Sequence, residues 1–252
     1  MIKLGDLNIC IISMKKNKER RDKIELTPNY YINAFDGKAL GKNFLDNQLI
    51  SYTGKCWYNA FNSPVKEKTL GKMGCFLSHF KCLKILPRPT IILEDDFECD
   101  YGDLREIDID LPEDDWDILF LSGFSTPKGN HIEEPLENHW NYIDSDKMKW
   151  WTTSAYIVRE PKKLLEILKS HRPCTLDSYY NKHVFNKLDC YYHYPPIVYQ
   201  NEEFDSTIDN ENKYKKKVSL WDNSYTIPLN SYYLATLNRF FNLSNTNKII
   251  FF

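Results

Sequence analysis

The chain has 252 residues, of which 42% are hydrophobic and 27% charged, so it can bury a large core and is not a disordered protein. Its formal net charge of −2 and sequence pI near 6.3 give no overall positive field, which excludes a general affinity for nucleic acid. The seven cysteines form no CxxC pair, which favours reduced thiols in a reducing compartment over a disulfide framework or a cysteine zinc site.

The first predicted strand is the apolar run over residues 7–13, and a basic segment, residues 15–21, follows it directly. Ligands of open α/β sheets bind beyond the carboxyl ends of the strands, so this order predicts a strand end that faces a ligand. The basic segment is equally compatible with the exposed start of a helix. The residues before the strand lack the layout of a secretory signal, so we expect a cytoplasmic location, or one peripheral to a membrane.

Residues 36–70 contain many Gly, Asn, Ser and Lys residues without sustained periodicity, which predicts loops and short turns near a site. Between residues 70 and 86 the pattern changes and predicts an amphipathic helix, which Pro87 ends. Its apolar residues recur at three- and four-residue spacing: Met73, Phe76, Leu77, Phe80, Leu83 and Leu86.

Three further strands are predicted, over residues 90–93, 116–123 and 150–158, from their apolar, β-branched and aromatic content. Pro161 suits the first turn of a following helix. The apolar face of that helix consists of Leu164, Leu165 and Leu168. Strands that alternate with helices predict an α/β sandwich with a mixed or parallel sheet.

The strand at 90–93 leads into three consecutive carboxylates, Glu94, Asp95 and Asp96. Like charges this close repel one another, so a cation is expected to hold them together. Mg²⁺ and Mn²⁺ prefer oxygen ligands and are commonly bound by one or two carboxylates together with a substrate's phosphates. The triplet therefore predicts a metal-assisted transferase that uses a nucleoside diphosphate. The alternative is that the acids form only a solvated turn.

A helix with Ser78 and His79 in its middle, followed by a strand that ends in acids, resembles the family 25 glycosyltransferases. These include bacterial lipooligosaccharide galactosyltransferases and collagen hydroxylysine galactosyltransferases. The specific part is a pair of motifs, Gly-Cys-Phe-Leu-Ser-His at 74–79 and Leu-Glu-Asp-Asp at 93–96, and weaker matches extend over most of the first 210 residues. The resemblance implies a GT-A-like, Rossmann-like nucleotide-sugar transferase fold with a mixed, mostly parallel central sheet.

The resemblance also implies roles for individual residues. Glu94 and Asp96 would bind Mn²⁺ or Mg²⁺, and Asp177 would act as the catalytic base, although Asp177 also suits the N-cap of a helix. Ser78 and His79 are equally compatible with structural roles inside the helix, and the sequence does not decide between Arg20 and Arg21 as the diphosphate contact. The residues expected to bind the donor are Ser13, Arg20, Arg21, Asp36, Gly74, Ser78, His79, Asp95 and Trp151.

The leading hypothesis is an inverting transferase that moves galactose or glucose from a UDP-sugar to a hydroxyl group of a glycan or a hydroxylysine. A catalytically idle module that binds sugar or protein is the alternative, and the intact carboxylates count against it. A divalent-metal hydrolase would need a water-activating cluster of His and Asp, which the sequence does not show.

The predicted catalytic domain covers residues 1–222, and an aromatic-rich segment covers residues 223–252. That segment is too short to span a bilayer, so we expect it to pack on the domain or to contact a partner. No stretch of the chain has the length and apolar character of a transmembrane segment, and no pattern indicates an oligomeric state.

Overall fold

A seven-stranded mixed sheet forms the centre of the computed structural model, which describes residues 1–57, 67–99, 101–128, 135–136 and 139–200. In chain order the strands are β1 (Ile2–Lys3), β2 (Asn8–Ser13), β3 (Tyr30–Asn33), β4 (Thr90–Glu94), β5 (Phe97–Cys99), β6 (Asp108–Ile109), β7 (Ile118–Phe120), β8 (Phe124–Pro127), β9 (His139–Tyr142), β10 (Met148–Trp151), β11 (Ala155–Val158), β12 (Cys190–Tyr194) and β13 (Val198–Gln200). The helices are α1 (Lys18–Lys23), α2 (Gly37–Thr53), α3 (Glu67–Ile85), α4 (Pro161–Ser170) and α5 (Leu176–Tyr179), and a π-helical turn, Tyr180–Val184, continues α5.

The central sheet has the strand order β3-β2-β4-β11-β7-β12-β9. Strands β3, β2, β4, β7 and β12 share one direction, whereas β11 and β9 run the opposite way. The other described strands form three antiparallel pairs, β1 with β6, β5 with β13 and β8 with β10. The predicted Rossmann-like α/β fold with a mixed, mostly parallel sheet is therefore confirmed.

Buried apolar side chains on β2, β4, β7 and β11 form the centre of the core. The apolar face of α3 is also buried, and α3 contacts α2, α4 and the strands β2 and β3. Full burial of one such side chain contributes roughly 1.5–3 kcal/mol to folding. The predicted strands at 7–13, 90–93 and 116–123 and the predicted helices over 70–86 and from Pro161 onward are confirmed.

The prediction of loops over residues 36–70 is wrong for α2, which occupies Gly37–Thr53. Asp36 caps this helix because its carboxylate accepts a hydrogen bond from the Ala39 backbone N–H at 3.3 Å. Gly41 has a φ of 74°, and this non-helical residue interrupts the helix and hides its periodicity. The buried face repeats every four residues at Leu45, Leu49 and Thr53, and tertiary contacts with α3 and α4 stabilise it.

The prediction of a single strand over residues 150–158 is also wrong. The segment contains the end of β10, which pairs with β8, and all of β11, which lies between β4 and β7 in the central sheet. Thr152 lies between the two strands and has a φ of 71°, which is outside the β region. β-Branched and aromatic content alone does not indicate this change of direction.

None of the helices within the described ranges combines the length and the apolar character that crossing a bilayer requires. The predicted boundary between residues 222 and 223 and the aromatic C-terminal segment lie outside the described residues.

Candidate active site at the carboxyl end of the central strands

A pocket lies where the carboxyl ends of β2, β3 and β4 meet, beside the first half of α3. The three strands are neighbours and parallel, so the residues that follow them converge at one edge of the sheet. The predicted site residues that line this pocket are Ser13, Arg20, Asp36, Ser78, His79, Glu94, Asp95 and Asp96. Lys16, Asn17 and Cys75 also line it, although no sequence motif predicts them as site residues.

Asp95 is buried and forms hydrogen bonds that join β4 to the segment after β2. Its carboxylate accepts hydrogen bonds from Ser13 Oγ at 2.7 Å, Asn17 Nδ2 at 3.1 Å and Arg20 Nη1 at 3.0 Å. These contacts make Asp95 a positioning residue for the basic segment.

The structure distinguishes the two adjacent arginines. Arg20 is buried, and its Nη1 lies 3.0 Å from Asp95 Oδ1 and 3.6 Å from Asp96 Oδ2. Arg21 Nη2 donates instead to the backbone carbonyls of Met14, at 3.2 Å, and Lys15. Arg20 therefore faces the acidic cluster, whereas Arg21 stabilises the turn after β2.

Asp96 is the carboxylate of the triplet with an unsatisfied oxygen. Its Oδ1 atom is buried and has no hydrogen-bond partner among the described residues. Burial, followed by the negative charge of Glu94, raises the pKa of Asp96 from 3.8 to about 7, against the opposing charge of Arg20. A buried carboxylate oxygen without a donor, beside a second carboxylate, is suited to a hard divalent cation.

Glu94 is fixed by a hydrogen-bonded chain that starts in the core. The Nε2 atom of His79 lies 3.0 Å from Glu94 Oε1, and the Nδ1 atom of His79 lies 3.0 Å from the Tyr156 hydroxyl on β11. His79 is only 1% exposed, so its ring has little freedom. The chain therefore sets the orientation of the Glu94 carboxylate at the pocket.

Ser78 and Gly74 connect α3 to the segment after β3. Ser78 Oγ donates to the Gly74 carbonyl at 2.6 Å and accepts from the Phe35 N–H at 2.8 Å. A Cβ atom on Gly74 would lie 2.5 Å from the Phe35 carbonyl oxygen and 2.9 Å from the Gly37 nitrogen. The two backbones approach so closely that position 74 requires a residue without a side chain. Ser78 makes the hydrogen bond to the carbonyl four residues earlier that is common for a serine inside a helix.

Asp177 lies in the first turn of α5, near the acidic cluster. The N-cap of this helix is Thr175, so the alternative that Asp177 is the N-cap is wrong. Burial, followed by the charge of Glu94, raises the pKa of Asp177 from 3.8 to about 6, while His79 and Lys72 act in the opposite direction. A carboxylate with this pKa is mostly ionised at neutral pH and can accept a proton.

Trp151 and Asp36, which are also expected to bind the donor, make contacts that have structural roles. Trp151 lies on β10, is 39% exposed, and donates from Nε1 to Thr126 Oγ1 at 3.0 Å. It is not among the side chains that line the pocket. Asp36 lines the pocket, but it also caps α2 and forms an ion pair with Lys16.

Comparison with known proteins identifies relatives of the chain. It is 26% identical over 215 residues to procollagen galactosyltransferase 2 of Mus musculus and 25% identical over 211 residues to that of Homo sapiens, with 75% of this chain and 33% of each relative covered. It is 25% identical over 193 residues to procollagen galactosyltransferase 1-B of Xenopus laevis, with 69% of this chain and 31% of the relative covered. The chain thus spans about a third of the length of these curated relatives.

A sequence model described as "Glycosyltransferase family 25 (LPS biosynthesis protein)" matches residues 6–180, which is more than half of the chain. The matched region contains β2, the pocket-lining part of α3, the acidic triplet and Asp177. It therefore includes both the strand ends and the side chains that form the pocket. The chain belongs to glycosyltransferase family 25.

Proposed function

We propose that the protein is a metal-dependent glycosyltransferase that moves galactose or glucose from a UDP-sugar to a hydroxyl acceptor with inversion. The observation that carries this proposal is the unsatisfied, buried Oδ1 of Asp96 beside Glu94, at the carboxyl end of β4. Family membership and the names of the relatives support the reaction class and the choice of galactose.

Glu94 and Asp96 would hold Mn²⁺ or Mg²⁺, which when bound neutralises the negative charge that develops on the departing UDP. Their carboxylate oxygens match the ligand preference of these cations. Arg20 adds a fixed positive charge at the same pocket, because Asp95 holds its guanidinium by a 3.0 Å hydrogen bond. We assign Arg20, rather than Arg21, to the diphosphate.

Asp177 would accept the proton of the attacking hydroxyl group. Its raised pKa, about 6, suits a base that operates near neutral pH. The acceptor is a glycan or a hydroxylysine: the family description supports the former, and the procollagen relatives support the latter.

The test is UDP release from a panel of UDP-hexoses, offered with glycan and hydroxylysine-peptide acceptors, with Mn²⁺ or with a chelator. We expect metal-dependent release, and we expect Asp96→Asn to lower it by about 100-fold or more because charge stabilisation in the transition state is lost. Asp177→Asn should lose transfer but retain UDP binding. Asp22→Asn, an exposed carboxylate outside the pocket, is the matched control.

Two outcomes would overturn the proposal. Full transfer by Asp96→Asn with unchanged metal dependence would exclude its assigned role. Metal-dependent UDP binding by the wild-type protein, without transfer to any acceptor of either class, would instead favour the idle binding module.

A further inference from the structure

Cys75, His79 and Glu94 bring three different ligand types together at the inner side of the pocket. Cys75 and His79 are four residues apart on α3 and so share one face of the helix, and Glu94 ends β4 opposite them. Their ligand atoms all lie within 4.8 Å of one another. His79 Nε2 is 3.0 Å and Cys75 Sγ is 3.8 Å from Glu94 Oε1.

Two of these separations are close to those of a tetrahedral metal site. Zinc bonds of about 2.0 to 2.3 Å to nitrogen, oxygen and sulfur place neighbouring ligand atoms about 3.3 to 3.8 Å apart. The separation of His79 Nε2 from Glu94 Oε1 is about 0.3 Å below this range and that of Cys75 Sγ from Glu94 Oε1 lies at its upper end, so adjustment of the three side chains would allow one ion to reach all of them. The set of thiol, imidazole and carboxylate favours Zn²⁺, whereas Mn²⁺ and Mg²⁺ prefer oxygen ligands alone.

The surroundings of His79 support the same ligand role. A zinc-binding histidine nearly always uses its second ring nitrogen to bond a protein group that fixes the ring. Tyr156 Oη lies 3.0 Å from Nδ1 of His79, and the two rings stack with centroids 5.9 Å apart. In the metal-free hydrogen bond the Glu94 carboxylate accepts from Nε2–H of His79. Metal binding would place the ring proton on Nδ1, where Tyr156 Oη can accept it, and leave the Nε2 lone pair for the ion. Burial, followed by the negative charges of Glu94, Asp177 and Asp96, raises the pKa of the Cys75 thiol, so the thiol is protonated without a metal, and the same carboxylates attract a dication.

We propose that Cys75, His79 and Glu94 form a binding site for a thiophilic divalent cation, Zn²⁺, chemically distinct from the oxygen-ligand site proposed for Mn²⁺ or Mg²⁺. Binding forms a bond from the Cys75 sulfur to Zn²⁺ and releases the thiol proton to solvent. Glu94 is common to both sites, so Zn²⁺ would remove it from the proposed transferase centre and inhibit transfer. The site itself depends only on three side chains and exists whether or not the protein transfers a sugar.

The test uses Co²⁺ as a spectroscopic substitute for Zn²⁺, because a cobalt–thiolate bond gives a near-ultraviolet charge-transfer band that oxygen ligands do not give. We expect the wild-type protein to show this band with one Co²⁺, and Zn²⁺ to displace it. Cys75→Ser should abolish the band and weaken Zn²⁺ binding by roughly tenfold or more, measured against a fluorescent chelator. Tyr156→Phe, which removes the hydroxyl that contacts His79, should weaken binding by roughly 10-fold while the band remains.

The controls separate this site from the transferase centre and from misfolding. Cys56→Ser changes another partly exposed cysteine and should leave both the band and the affinity unchanged. Asp96→Asn should retain the thiolate band even though it removes the proposed Mn²⁺ ligand. Circular dichroism and thermal melting confirm folding of each variant. The absence of a thiolate band in the wild-type protein, or its full retention in folded Cys75→Ser, would overturn the inference.

Discussion

At the residue scale, three consecutive carboxylates have three different surroundings. His79 contacts Glu94, three donors bond Asp95, and Asp96 keeps a buried oxygen that no described residue bonds. The differences arise because Glu94 ends β4 beside α3, whereas Asp95 and Asp96 lie in the turn that follows and face Arg20 after β2. The three acids therefore have different roles: Glu94 is an oriented candidate ligand, Asp95 positions the segment after β2, and Asp96 has an oxygen available for a ligand.

The raised pKa of Asp96 predicts a pH-dependent stability. The carboxyl group titrates near 3.8 in the unfolded chain and near 7 in the fold, so between these values the unfolded state has lost a proton that the fold retains. Stability of the metal-free protein therefore falls as pH rises from about 4 to about 7, and this contribution is fully lost above that range. Asp96→Asn removes the titration, so its free energy of unfolding should exceed that of the wild-type protein by roughly 1–3 kcal/mol at pH 8 and by little at pH 4.

Urea unfolding of both proteins at several pH values, in the presence of a chelator, measures this difference. Asp95→Asn is the neighbouring control, and it should be destabilising because it weakens the hydrogen bonds from Ser13, Asn17 and Arg20. A constant difference between Asp96→Asn and wild type across this pH range would contradict the prediction.

At the element scale, the position of α3 depends on the absence of a side chain at Gly74. An alanine in a helix is normally about 1 kcal/mol more stabilising than a glycine. Here the added Cβ would lie 2.5 Å from a backbone carbonyl oxygen, Phe35 O, which has no flexible side chain to move aside. Gly74→Ala should therefore destabilise the protein by roughly 1–3 kcal/mol, opposite in sign to its helix propensity.

Thermal or urea unfolding of Gly74→Ala and the wild-type protein measures whether the substitution raises or lowers the stability. Lys84→Ala, at an exposed position of the same helix, is the control; it removes a surface contact with the Tyr52 ring, 4.7 Å from Nζ, and should change the stability by less than about 1 kcal/mol. A more stable Gly74→Ala variant would show that α3 and the segment after β3 do not approach each other this closely.

At the scale of the whole molecule, Asp117 connects β7, α4 and the residue before β12, far from the pocket in sequence. Its carboxylate accepts hydrogen bonds from Lys163 Nζ at 2.8 and 2.9 Å and from the Asp189 backbone N–H at 3.0 Å. Asp117→Ala should cost roughly 1–3 kcal/mol of unfolding free energy because it leaves the Asp189 N–H without its acceptor. The variant should retain any metal or UDP binding, since Asp117 does not line the pocket.

Asp115→Ala provides the matched comparison in the unfolding experiment. Asp115 is 84% exposed and pairs with Arg159 at the surface, so its removal should change stability little. Equal losses in the two variants would mean that the buried position of Asp117 adds nothing to its contribution.

Much of the fold could be predicted from local patterns. The strands at 7–13 and 90–93, the helix over 70–86 and the acidic triplet depend on periodicity and composition within about ten residues, and the structure contains all of them. α2 was missed because Gly41 breaks its periodicity and tertiary contacts stabilise it. The prediction of one strand over 150–158 is wrong because the break between β10 and β11 depends on the backbone conformation of Thr152.

The cytoplasmic location expected from the sequence stays a prediction.

By itself, the sequence determined the residue types of the site and the order of the elements that carry them. Tertiary structure alone decided that Arg20 and not Arg21 faces the acids, that one oxygen of Asp96 lacks a partner in the described part of the chain, and that Cys75 contacts Glu94. The physical reason is the distance along the chain over which each effect acts. Backbone preferences depend on residues that are close in sequence. The direction of a side chain and its electrostatic surroundings depend on packing between segments that are distant in the chain, such as Ser13 and Asp95, which are 82 residues apart.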